Sequence, residues 1–466
     1  MKSSLSPLKL NVMKASLFNI FTTDSRTQEV LLFNSLYGSV TVWDKSEFQL
    51  AERILKDPTE KAVGPSANVI TDQLIRNKYL VEDDIDEMEI VTRRKLRGIE
   101  DSNRLDIVVM PNMTCNFACP YCYESHQPSA FMKEETERSL KRWLTKEVPK
   151  FKVLFVSWFG GEPLLSYGQI VSVGRHVRKI CEQHDVGLLM NITTNGYLLN
   201  ETRVKELTKL GFLNYQFTID GPPDVHNRTR ILKNGKGTFA RIFRNIMLLL
   251  KAHEEVLISL RVNFNHTNLH SIPELLRLFP DGVRPRLKIV YEPIFGEKCL
   301  SATDNIPSEE ISSSMVEYYR LAKDLGYGVT IGNIGTGKLV YCFAERENQF
   351  VFNYNGDIFK CTVNSFGSEA RLGHLDDDGL VIRDERRWDR WVGMPLFEEK
   401  CKGCKFLPIC MGGCRKSRLE HGTTGSFCNL VPTNTSFALK EIAFGKFDEV
   451  LYNANTTDSN LRFGIG

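Results

Sequence analysis

The stretch Met113-Thr-Cys-Asn-Phe-Ala-Cys-Pro-Tyr-Cys-Tyr123 decides the fold. It presents Cys115, Cys119 and Cys122, with three and then two residues between successive cysteines. Three thiolates this close in sequence can bind three irons of a 4Fe–4S cube and leave the fourth iron uncovered. A zinc site would require a fourth ligand, and only His126 offers one within the next few positions. The spacing therefore favours an iron–sulfur cluster over a zinc site or chance cysteines.

Length and composition describe an ordinary globular chain. With 466 residues it is long for one domain and suggests two or three. Its hydrophobic fraction of 42% and charged fraction of 25% are average, and its net charge of +3 indicates no nucleic-acid or membrane partner. No apolar run approaches the ~18–20 residues that span a bilayer, and the first residues lack the apolar segment of a signal peptide. We therefore expect a cytoplasmic protein.

The twelve cysteines are unevenly distributed. Two of them, Cys181 and Cys299, stand alone and are expected to pack as small hydrophobic side chains. Seven crowd the last quarter or so of the chain: Cys342, Cys361, Cys401, Cys404, Cys410, Cys414 and Cys428. In a chain without a secretion signal, dense cysteines indicate metal ligands rather than disulfides.

From residue 105 onward, strands alternate with helices, a pattern typical of a parallel sheet built from βα units. The predicted strands are 105–110, 153–159, 187–193, 215–219, 256–264 and 287–291. The predicted helices are 133–148, 169–182, 201–210, 238–252 and 271–279. Active sites in such folds lie at the carboxyl ends of the strands, and the cysteine loop directly follows the first strand.

The sequence pattern of residues 1–95 predicts a separate small α+β domain. Strand composition is found at 15–21, 29–34 and 39–43, followed by an amphipathic helix at 45–56. Two further helical stretches are predicted at 71–79 and 84–98. No short motif marks this domain, so a purely structural N-terminal cap remains an alternative.

The cysteine loop resembles that of the radical S-adenosylmethionine (radical SAM) enzymes, whose open iron chelates the amino and carboxylate groups of SAM. The resemblance implies an α/β fold, with a partial (β/α)6 TIM-like barrel over residues 100–310. It also implies reductive cleavage of SAM to methionine and a 5′-deoxyadenosyl radical that abstracts hydrogen from substrate.

Phe159-Gly-Gly-Glu-Pro163 follows the second predicted strand and resembles the family's GGEP motif, which contacts the SAM amino group. Two glycines let a backbone approach a ligand closely, and Glu162 can accept a hydrogen bond from an ammonium group. Polar side chains follow the later strands, and Arg230 and Arg261 can each pair with the SAM carboxylate. The candidate SAM contacts are Tyr121, Gly160, Gly161, Glu162, Pro163, Thr194, Asn195, Thr218, Arg230, Arg261 and Asn263.

The stretch from Asp220 through His226, Arg230 and Gly237 resembles a DGP…H…R…G pattern of the branch that modifies peptides and proteins. For the polar residues at the later strand ends, including Arg230, a structural role is the alternative to contact with SAM.

The cysteine-rich end has the order Cys401-x2-Cys404-x5-Cys410-x3-Cys414, then Cys428. Tyr354-Asn-Gly-Asp357 is a hairpin turn signal, which predicts Cys342 and Cys361 on paired strands. Together with Cys342 and Cys361, these cysteines follow an order that resembles the SPASM domain. We expect this domain at residues 311–440, beginning with a bridging helix at 311–325. A zinc ribbon is the alternative, and residues 441–466 are expected to be a frayed tail.

The SPASM resemblance implies two auxiliary 4Fe–4S clusters, for a total of three. Cys401, Cys404, Cys410 and Cys428 would hold the outer one completely. Cys342, Cys361 and Cys414 would hold the inner one and leave it a ligand short. Either Cys299 supplies that ligand, or the open iron binds a substrate cysteine thiolate, whose pKa it would lower.

Residues 1–95 resemble the winged-helix domain that grips the leader of a precursor peptide by strand addition. The leading hypothesis is therefore a maturase that forms thioether links between cysteine sulfur and carbon in a ribosomally made peptide. Its partners would be that precursor with its leader and a reductant such as flavodoxin or ferredoxin. The alternatives are a carbon–carbon or carbon–oxygen crosslinking maturase, an anaerobic sulfatase-maturating enzyme, or an iron–sulfur electron-transfer protein.

Overall fold

The computed structural model describes residues 13–23, 27–58, 64–122, 124, 130–294, 308–329, 339–363 and 365–422. The predictions for Cys299, Cys428 and the tail at 441–466 lie outside the described residues. The described chain divides into two compact units. The first contains residues 1–99, 331–342 and 394–466, and the second contains residues 100–330 and 343–393.

The first unit begins with a small α+β fold. Its strands are β1 (Met13–Ala15), β2 (Asn19–Thr23), β3 (Val30–Asn34), β4 (Val40–Trp43) and β5 (Leu80–Glu82), and its helices are α1 (Lys45–Lys56), α2 (Pro65–Arg76) and α3 (Glu87–Ile99). Strands β2, β3 and β4 form an antiparallel sheet in that order, while β1 pairs with β5. Helix α1 begins at a capping box formed by Asp44 and Glu47.

Two local predictions for this domain are wrong. The strand predicted at 15–21 is divided into β1 and β2, because the Glu87 carboxylate accepts hydrogen bonds from Ser16 Oγ and Leu17 N and turns the chain. The helix predicted at 71–79 begins earlier, with Pro65 in its first turn, and ends at Arg76. Lys78 then takes a left-handed backbone conformation, with φ of 59°.

The second unit contains the predicted α/β fold. Its strands are β6 (Arg104–Val109), β7 (Val153–Trp158), β8 (Gly187–Thr194), β9 (Phe212–Thr218), β10 (Leu257–Phe264), β11 (Leu287–Pro293), β12 (Gly328–Val329), β13 (Gln349–Phe352), β14 (Asp357–Phe359), β15 (Gly373–Leu375) and β16 (Val381–Arg383). Its helices are α4 (Glu134–Glu147), α5 (Tyr167–His184), α6 (Glu201–Lys209), α7 (Pro223–Thr229), α8 (Phe239–Ala252), α9 (Ile272–Leu278), α10 (Ser308–Asp324) and α11 (Glu385–Val392).

These strands form one sheet in the order β12-β11-β10-β9-β8-β7-β6-β13-β14-β15-β16. Neighbours are parallel from β12 to β13, and β13 to β16 pair antiparallel. All six predicted strands are present, so the prediction of an α/β fold with a parallel sheet is confirmed. From β6 to β12, each successive strand is added next to the preceding one on the same side of the sheet. Because the crossovers between parallel strands are right-handed, the connecting helices then lie on one face of the sheet.

The sheet continues beyond the predicted strands, because β13 pairs parallel with β6 and the β13–β14 hairpin extends it. The predicted turn at 354–357 is therefore present, but the prediction that Cys342 and Cys361 lie on paired strands is wrong. A short helical turn at Phe343–Glu345 separates Cys342 from β13. Lys360, which precedes Cys361, lies just beyond the end of β14. Its Nζ donates hydrogen bonds to the carbonyls of Arg346 and Glu347.

The two faces of the parallel sheet differ in polarity. Along β10, the buried residues Ile258, Leu260, Val262 and Phe264 alternate with the half-buried Ser259, Arg261 and Asn263. Parallel sheets are ordinarily covered by apolar side chains on both faces. Here one face packs an apolar core and the other presents polar groups. No helix among the described residues is long and apolar enough to cross a membrane.

Part of the cysteine-rich end packs with the N-terminal fold inside the first unit. Its helices are α12 (Leu407–Cys410) and α13 (Arg415–His421). One hydrophobic cluster joins Cys401, Leu407 and Met411 to residues of the N-terminal fold, which are Phe18, Leu36 and Val91. Lys95 on α3 is fully buried, and its Nζ donates hydrogen bonds to the carbonyls of Met411 at 2.6 Å and Leu396 at 3.1 Å.

Replacing Lys95 with methionine tests this attachment. The change Lys95→Met keeps a long apolar side chain but leaves two buried carbonyl oxygens without their donor. We expect the free energy of unfolding to fall by about 3 kcal/mol, measured by anaerobic urea denaturation. Arg93→Met is the matched control, because Arg93 is exposed and pairs only with Glu89 one turn away, so its effect should stay within roughly 0.5 kcal/mol. Equal effects of the two changes would contradict the role of Lys95.

Candidate active site

The cysteine loop leaves the carboxyl end of β6 and is anchored by Asn112. The buried Asn112 side chain donates from Nδ2 to the Glu162 carbonyl at 3.1 Å and to Ser166 Oγ at 2.8 Å. Its Oδ1 accepts a hydrogen bond from Thr114 N at 3.1 Å. Farther along the loop, Ala118 N donates to the Ile231 carbonyl. The loop is therefore fixed to the segment after β7 and to the segment after α7.

Gly160 and Gly161 permit a close approach between the turn after β7 and the backbone of the cysteine loop. A Cβ on Gly161 would lie 2.3 Å from the Thr114 carbonyl oxygen, and a Cβ on Gly160 would lie 2.4 Å from that of Asn112. Glu162 N donates to the Thr114 carbonyl at 2.8 Å across this contact. In the structure these glycines make room for the cysteine loop, and the approach of their backbone to a bound ligand stays a prediction.

Glu162 joins the ends of β7 and β8. Its fully buried carboxylate accepts hydrogen bonds from Leu164 N at 2.9 Å, Thr194 Oγ1 at 2.7 Å and Asn195 N at 2.7 Å. Burial raises the pKa of Glu162, and these three donors together with the Arg230 charge oppose the rise. The Glu162 carboxylate, which was predicted to accept a hydrogen bond from an ammonium group, thus already accepts three hydrogen bonds from the protein.

Asn195 connects the end of β8 to the cysteine loop. Its Nδ2 donates to Asn116 Oδ1 at 2.8 Å and lies 3.9 Å from Cys115 Sγ. The Nδ2 atom of Asn116 is itself buried and has no hydrogen-bond partner among the residues that the structure describes. Of the predicted site residues, Glu162, Thr194 and Asn195 are thus brought together beside Cys115, with Gly160, Gly161 and Pro163 forming the turn that holds them.

The three loop thiols lie in a poorly solvated space. Burial raises the pKa of Cys115 to about 12 and that of Cys122 to about 11, and it also raises the pKa of Cys119. The Cys119 charge contributes to both of the other shifts, so the thiols are within electrostatic reach of one another. They would remain protonated unless bound metal stabilised the thiolates.

The donor set fits an iron–sulfur cube better than a single ion. Among the described residues, no group of three or more His, Cys, Asp or Glu side chains is arranged to hold one metal ion. A cube with one thiolate on each iron spreads its ligands more widely than a mononuclear zinc site does. The buried Asn116 Nδ2 and Glu124 Oε2, which have no hydrogen-bond partner in the described part of the chain, add polar atoms suited to a bound group at this place.

Tyr121, inside the loop, is the centre of a second network. Its hydroxyl donates to Asp220 Oδ2 and accepts from Arg230 Nη1 at 2.9 Å, with Asn263 Nδ2 at 3.5 Å. The guanidinium of Arg230 lies 5.7 Å from the ring centroid of Phe117, and its buried Nε has no hydrogen-bond partner within the described ranges. The network fastens the cysteine loop to the carboxyl ends of β9 and β10.

Charges within this network balance one another. Burial raises the pKa of Asp220, while Arg230 and the hydrogen bonds to Asp220 lower it. Burial acts to lower the pKa of Arg230, but the charges of Tyr121, Cys119 and Asp220 raise it well above its usual value. Arg230 therefore stays a cation among the loop thiols and Asp220.

The DGP…H…R…G pattern is largely structural. His226 is fully buried; its Nδ1 accepts from Asp220 N at 3.3 Å and its Nε2 lies 3.0 Å from Thr238 Oγ1. Burial lowers the pKa of His226 well below its usual value, so the ring is neutral. A Cβ on Gly237 would collide with the Asn227 side chain, which caps α8 by accepting from Thr238 N and Phe239 N.

Arg261 and Asn263 lie on the polar face of β10. Arg261 Nε donates to Asn263 Oδ1 at 2.8 Å, and Arg261 is in register with Thr218 on β9. Asn263 contacts the Tyr121 network directly, whereas Arg261 reaches it through Asn263. Their predicted contact with the SAM carboxylate stays a prediction.

Several residues of the site were not anticipated from the sequence. Asn112 and Asn116 organise the loop, and Glu124 is buried nearby, where burial and then the Glu162 charge raise its pKa to about 8. The sequence signal that could have identified Glu124 as a site residue is its position two residues after Cys122. Asp220 was seen only as part of a pattern, and its bond to Tyr121 spans 99 positions.

The auxiliary cysteines are only partly described. In the first unit, Cys401 ends a short helical turn at Glu399–Cys401 and Cys410 ends α12, whereas Cys404 precedes α12 and Cys414 precedes α13. Met411, Gly412 and Gly413 take left-handed conformations between Cys410 and Cys414. Cys342 belongs to the same unit and Cys361 to the second unit. The ligand sets of both auxiliary clusters stay predictions.

Comparisons with known proteins agree with this site. Residues 109–279 match the model of the Radical SAM superfamily. The chain is 24% identical over 366 residues to the PqqA peptide cyclase of Bradyrhizobium diazoefficiens, covering 75% of this chain and 91% of the relative. It is 25% identical over 346 residues to the cysteine-type anaerobic sulfatase-maturating enzyme of Clostridium perfringens, covering 67% and 90%.

A solved structure supports the same fold. Native anSMEcpe with bound AdoMet and the Cp18Cys peptide superposes with a TM-score of 0.55 at 18% identity, covering 74% of this chain and 99% of that chain. The matched segment begins at the end of β6 and includes the cysteine loop, the Glu162 turn and the Tyr121 network. Residues 109–279 therefore form a radical SAM domain.

Proposed function

We propose that the enzyme is a maturase that forms thioether links between cysteine sulfur and carbon in a ribosomally made precursor peptide. The observation that carries the proposal is the cysteine loop held at the ends of the parallel strands, by the bond from Glu162 N to the Thr114 carbonyl and by the bond from Tyr121 to Asp220. The named relatives, a peptide cyclase and sulfatase-maturating enzymes, favour a peptide or protein as the substrate.

The residues that would hold the cofactors follow from the site. Cys115, Cys119 and Cys122 would bind a 4Fe–4S cluster, and SAM would lie between Glu162, Asn195, Thr194 and the Tyr121–Arg230–Asn263 group. When bound, the cluster and SAM supply a 5′-deoxyadenosyl radical that abstracts hydrogen from substrate. The protein itself orients the loop, keeps Arg230 charged, and excludes water from the buried thiols.

Other SAM contacts belong to the same proposal. Gly160, Gly161 and Pro163 would shape the turn under the SAM amino group, while Thr218 and Arg261 would border the polar face beneath it. The single-direction order of strands β6 to β12 supports a curled, partial (β/α)6 barrel around this position, because all helices then cover one face.

The cysteine-rich end would hold two auxiliary 4Fe–4S clusters in a SPASM domain. Cys401, Cys404, Cys410 and Cys428 would bind the outer cluster, and Cys342, Cys361 and Cys414 the inner one. An inner iron left without a protein ligand would bind the substrate cysteine thiolate and favour its charged form. Electrons would come from a reductant such as flavodoxin or ferredoxin.

The N-terminal fold would bind the leader of the precursor as a winged-helix-like domain. Strands β2 and β4 each pair only with β3 among the described strands, so each has an unpaired edge that a peptide strand could extend. The packing of Cys401 and Met411 against Phe18 and Val91 supports a role in which leader binding and the cysteine-rich end are linked.

A sulfatase-maturating activity, which oxidises a serine or cysteine to formylglycine, is the second candidate. The relatives with that name favour it as strongly as the peptide cyclase favours crosslinking. A carbon–carbon or carbon–oxygen crosslink is a third outcome of the same radical chemistry. The bond formed in the product separates the three.

Removing a loop cysteine should remove one cluster of three. We expect Cys115→Ala to contain roughly 8 rather than 12 irons per chain, because an open cube needs all three thiolates. Anaerobic iron and sulfide analysis measures this, and the same variant should form no 5′-deoxyadenosine. Cys181→Ala, at a buried thiol of α5, should keep the full iron content. An unchanged iron content in Cys115→Ala would exclude this cluster assignment.

The Tyr121 hydroxyl should matter for SAM placement more than for iron content. Tyr121→Phe removes the bridge between Asp220 and Arg230, and we expect SAM to bind about tenfold more weakly, measured by equilibrium dialysis on the iron-loaded enzyme. Tyr167→Phe is the control, since Tyr167 also donates to a carboxylate, that of Glu206 at 2.7 Å, but outside this network. SAM affinity equal in the two variants would rule out the positioning role.

The product bond is tested directly on a cysteine-containing precursor. Incubation with the reduced, reconstituted enzyme and SAM should remove two hydrogens per link and protect each linked sulfur from thiol alkylation. Free cysteines in a product that has lost hydrogens would indicate a carbon–carbon or carbon–oxygen link. An aldehyde at a serine or cysteine position would indicate formylglycine instead.

A further inference from the structure

The polar face of the parallel sheet contains a row of uncharged side chains that the cofactor sites do not use. Asn191 on β8 is in register with Asn214 on β9. One step toward the carboxyl ends, Thr193 is in register with Gln216, and Gln216 with Ser259 on β10. These five residues, the amide row, alternate along their strands with buried apolar residues such as Ile192, Tyr215 and Ile258.

The amide row lies on the same face as the active-site residues. Thr218 follows Gln216 by two positions, and Arg261 and Asn263 follow Ser259 by two and four positions, so all of these side chains point to one side of the sheet. The row therefore lies below the Tyr121–Asn263 network and extends from it toward the amino ends of the strands.

The row contains hydrogen-bonding capacity that the described protein does not satisfy. The Oδ1 atoms of Asn191 and of its register neighbour Asn214 are both buried, and neither has a hydrogen-bond partner within the described ranges. Buried acceptors without donors are costly. Two adjacent acceptors can therefore take donors from a bound molecule, and none of the five residues carries a charge.

We infer that the amide row binds the main chain of an extended peptide segment of the substrate. A peptide group offers both the N–H that the two Oδ1 atoms need and a carbonyl that the side-chain amides can bind. Neighbouring strands lie about 4.8 Å apart, so one segment that crosses β8 and β9 contacts Asn191 and Asn214, and Ser259 lies farther toward the carboxyl ends, level with Gln216. The inference rests on the proposed function, because it assigns the part of the peptide that the polar face recognises.

Because the amide row would bind the main chain, binding there would not depend on the side chains of the peptide. The residue whose hydrogen is removed would then be selected by its distance along the segment from the Asn191–Asn214 contact, and not by its chemistry. Charged ligands fit less well, since the row holds no group to neutralise them.

A blocked peptide and its N-methylated counterpart test the contact. The probes are acetyl-Gly-Gly-Cys-Gly-Gly-amide and the same peptide with every glycine nitrogen methylated, which removes those N–H donors. Binding is measured calorimetrically to the full-length, iron-loaded enzyme with SAM. Wild-type enzyme should bind the parent peptide roughly tenfold more tightly than the methylated one.

The variants decide whether the amide row causes this preference. In N191L/N214L, which keeps the branched side-chain shape but removes both acceptors, the preference should shrink to about twofold or less. N214S, a milder change, should show an intermediate preference. N68L, which removes an exposed amide on α2, should keep the wild-type ratio.

Failure of the inference and failure of the proposed function give different results. An equal preference in wild-type and N191L/N214L enzyme, or no preference in wild type, would overturn the amide row as a peptide site. Peptide binding with the expected preference but without any product under reducing conditions would leave the row supported and count against the maturase proposal.

Discussion

The contact between the Gly160–Gly161 turn and the backbone of the cysteine loop is the constraint on which the active site depends. Any Cβ at Gly161 would overlap the Thr114 carbonyl, so the approach is possible only for glycine. It brings Glu162 N onto that carbonyl and places the Glu162 carboxylate where Thr194 and Asn195 donate to it. The ends of β6, β7 and β8 are thereby joined around Cys115.

A second set of bonds completes the ring of strand ends. Tyr121 extends from the same loop to Asp220 after β9 and to Asn263 on β10, with Arg230 supplying the positive charge. Because the loop is held from both directions, its three thiols remain in a buried space even without metal. The cost is a high thiol pKa, which iron binding would offset by stabilising thiolates.

Local features of this fold could be predicted from the sequence, whereas contacts between distant segments could not. The alternation in β10 is visible as polar and apolar letters, and the six strands were predicted within a few residues of their ends. The glycine pair was recognised, but its real neighbour, Thr114, lies 47 positions earlier. No periodicity indicates that Tyr121 meets Asp220, or that β13 pairs with β6 across more than 240 positions.

The cysteine-rich end shows the same division. Its spacing indicated metal ligands, yet the positions of Cys342 and Cys361 were mispredicted, because the turn signal at 354–357 locates a hairpin and not the residues beyond it. The attachment of Met411 to Lys95 on α3 also had no signal, since a lysine in a helix ordinarily faces solvent. Burial of such a group is decided by its distant partners.

In the proposed function, this buried loop generates a radical that takes hydrogen from a peptide. The most direct measurement is the transfer of deuterium from a cysteine-containing peptide, deuterated at carbon, into 5′-deoxyadenosine during turnover of the reduced enzyme with SAM. We expect singly deuterated 5′-deoxyadenosine in proportion to modified peptide. Unlabelled 5′-deoxyadenosine beside modified peptide, or none from fully iron-loaded enzyme, would contradict it.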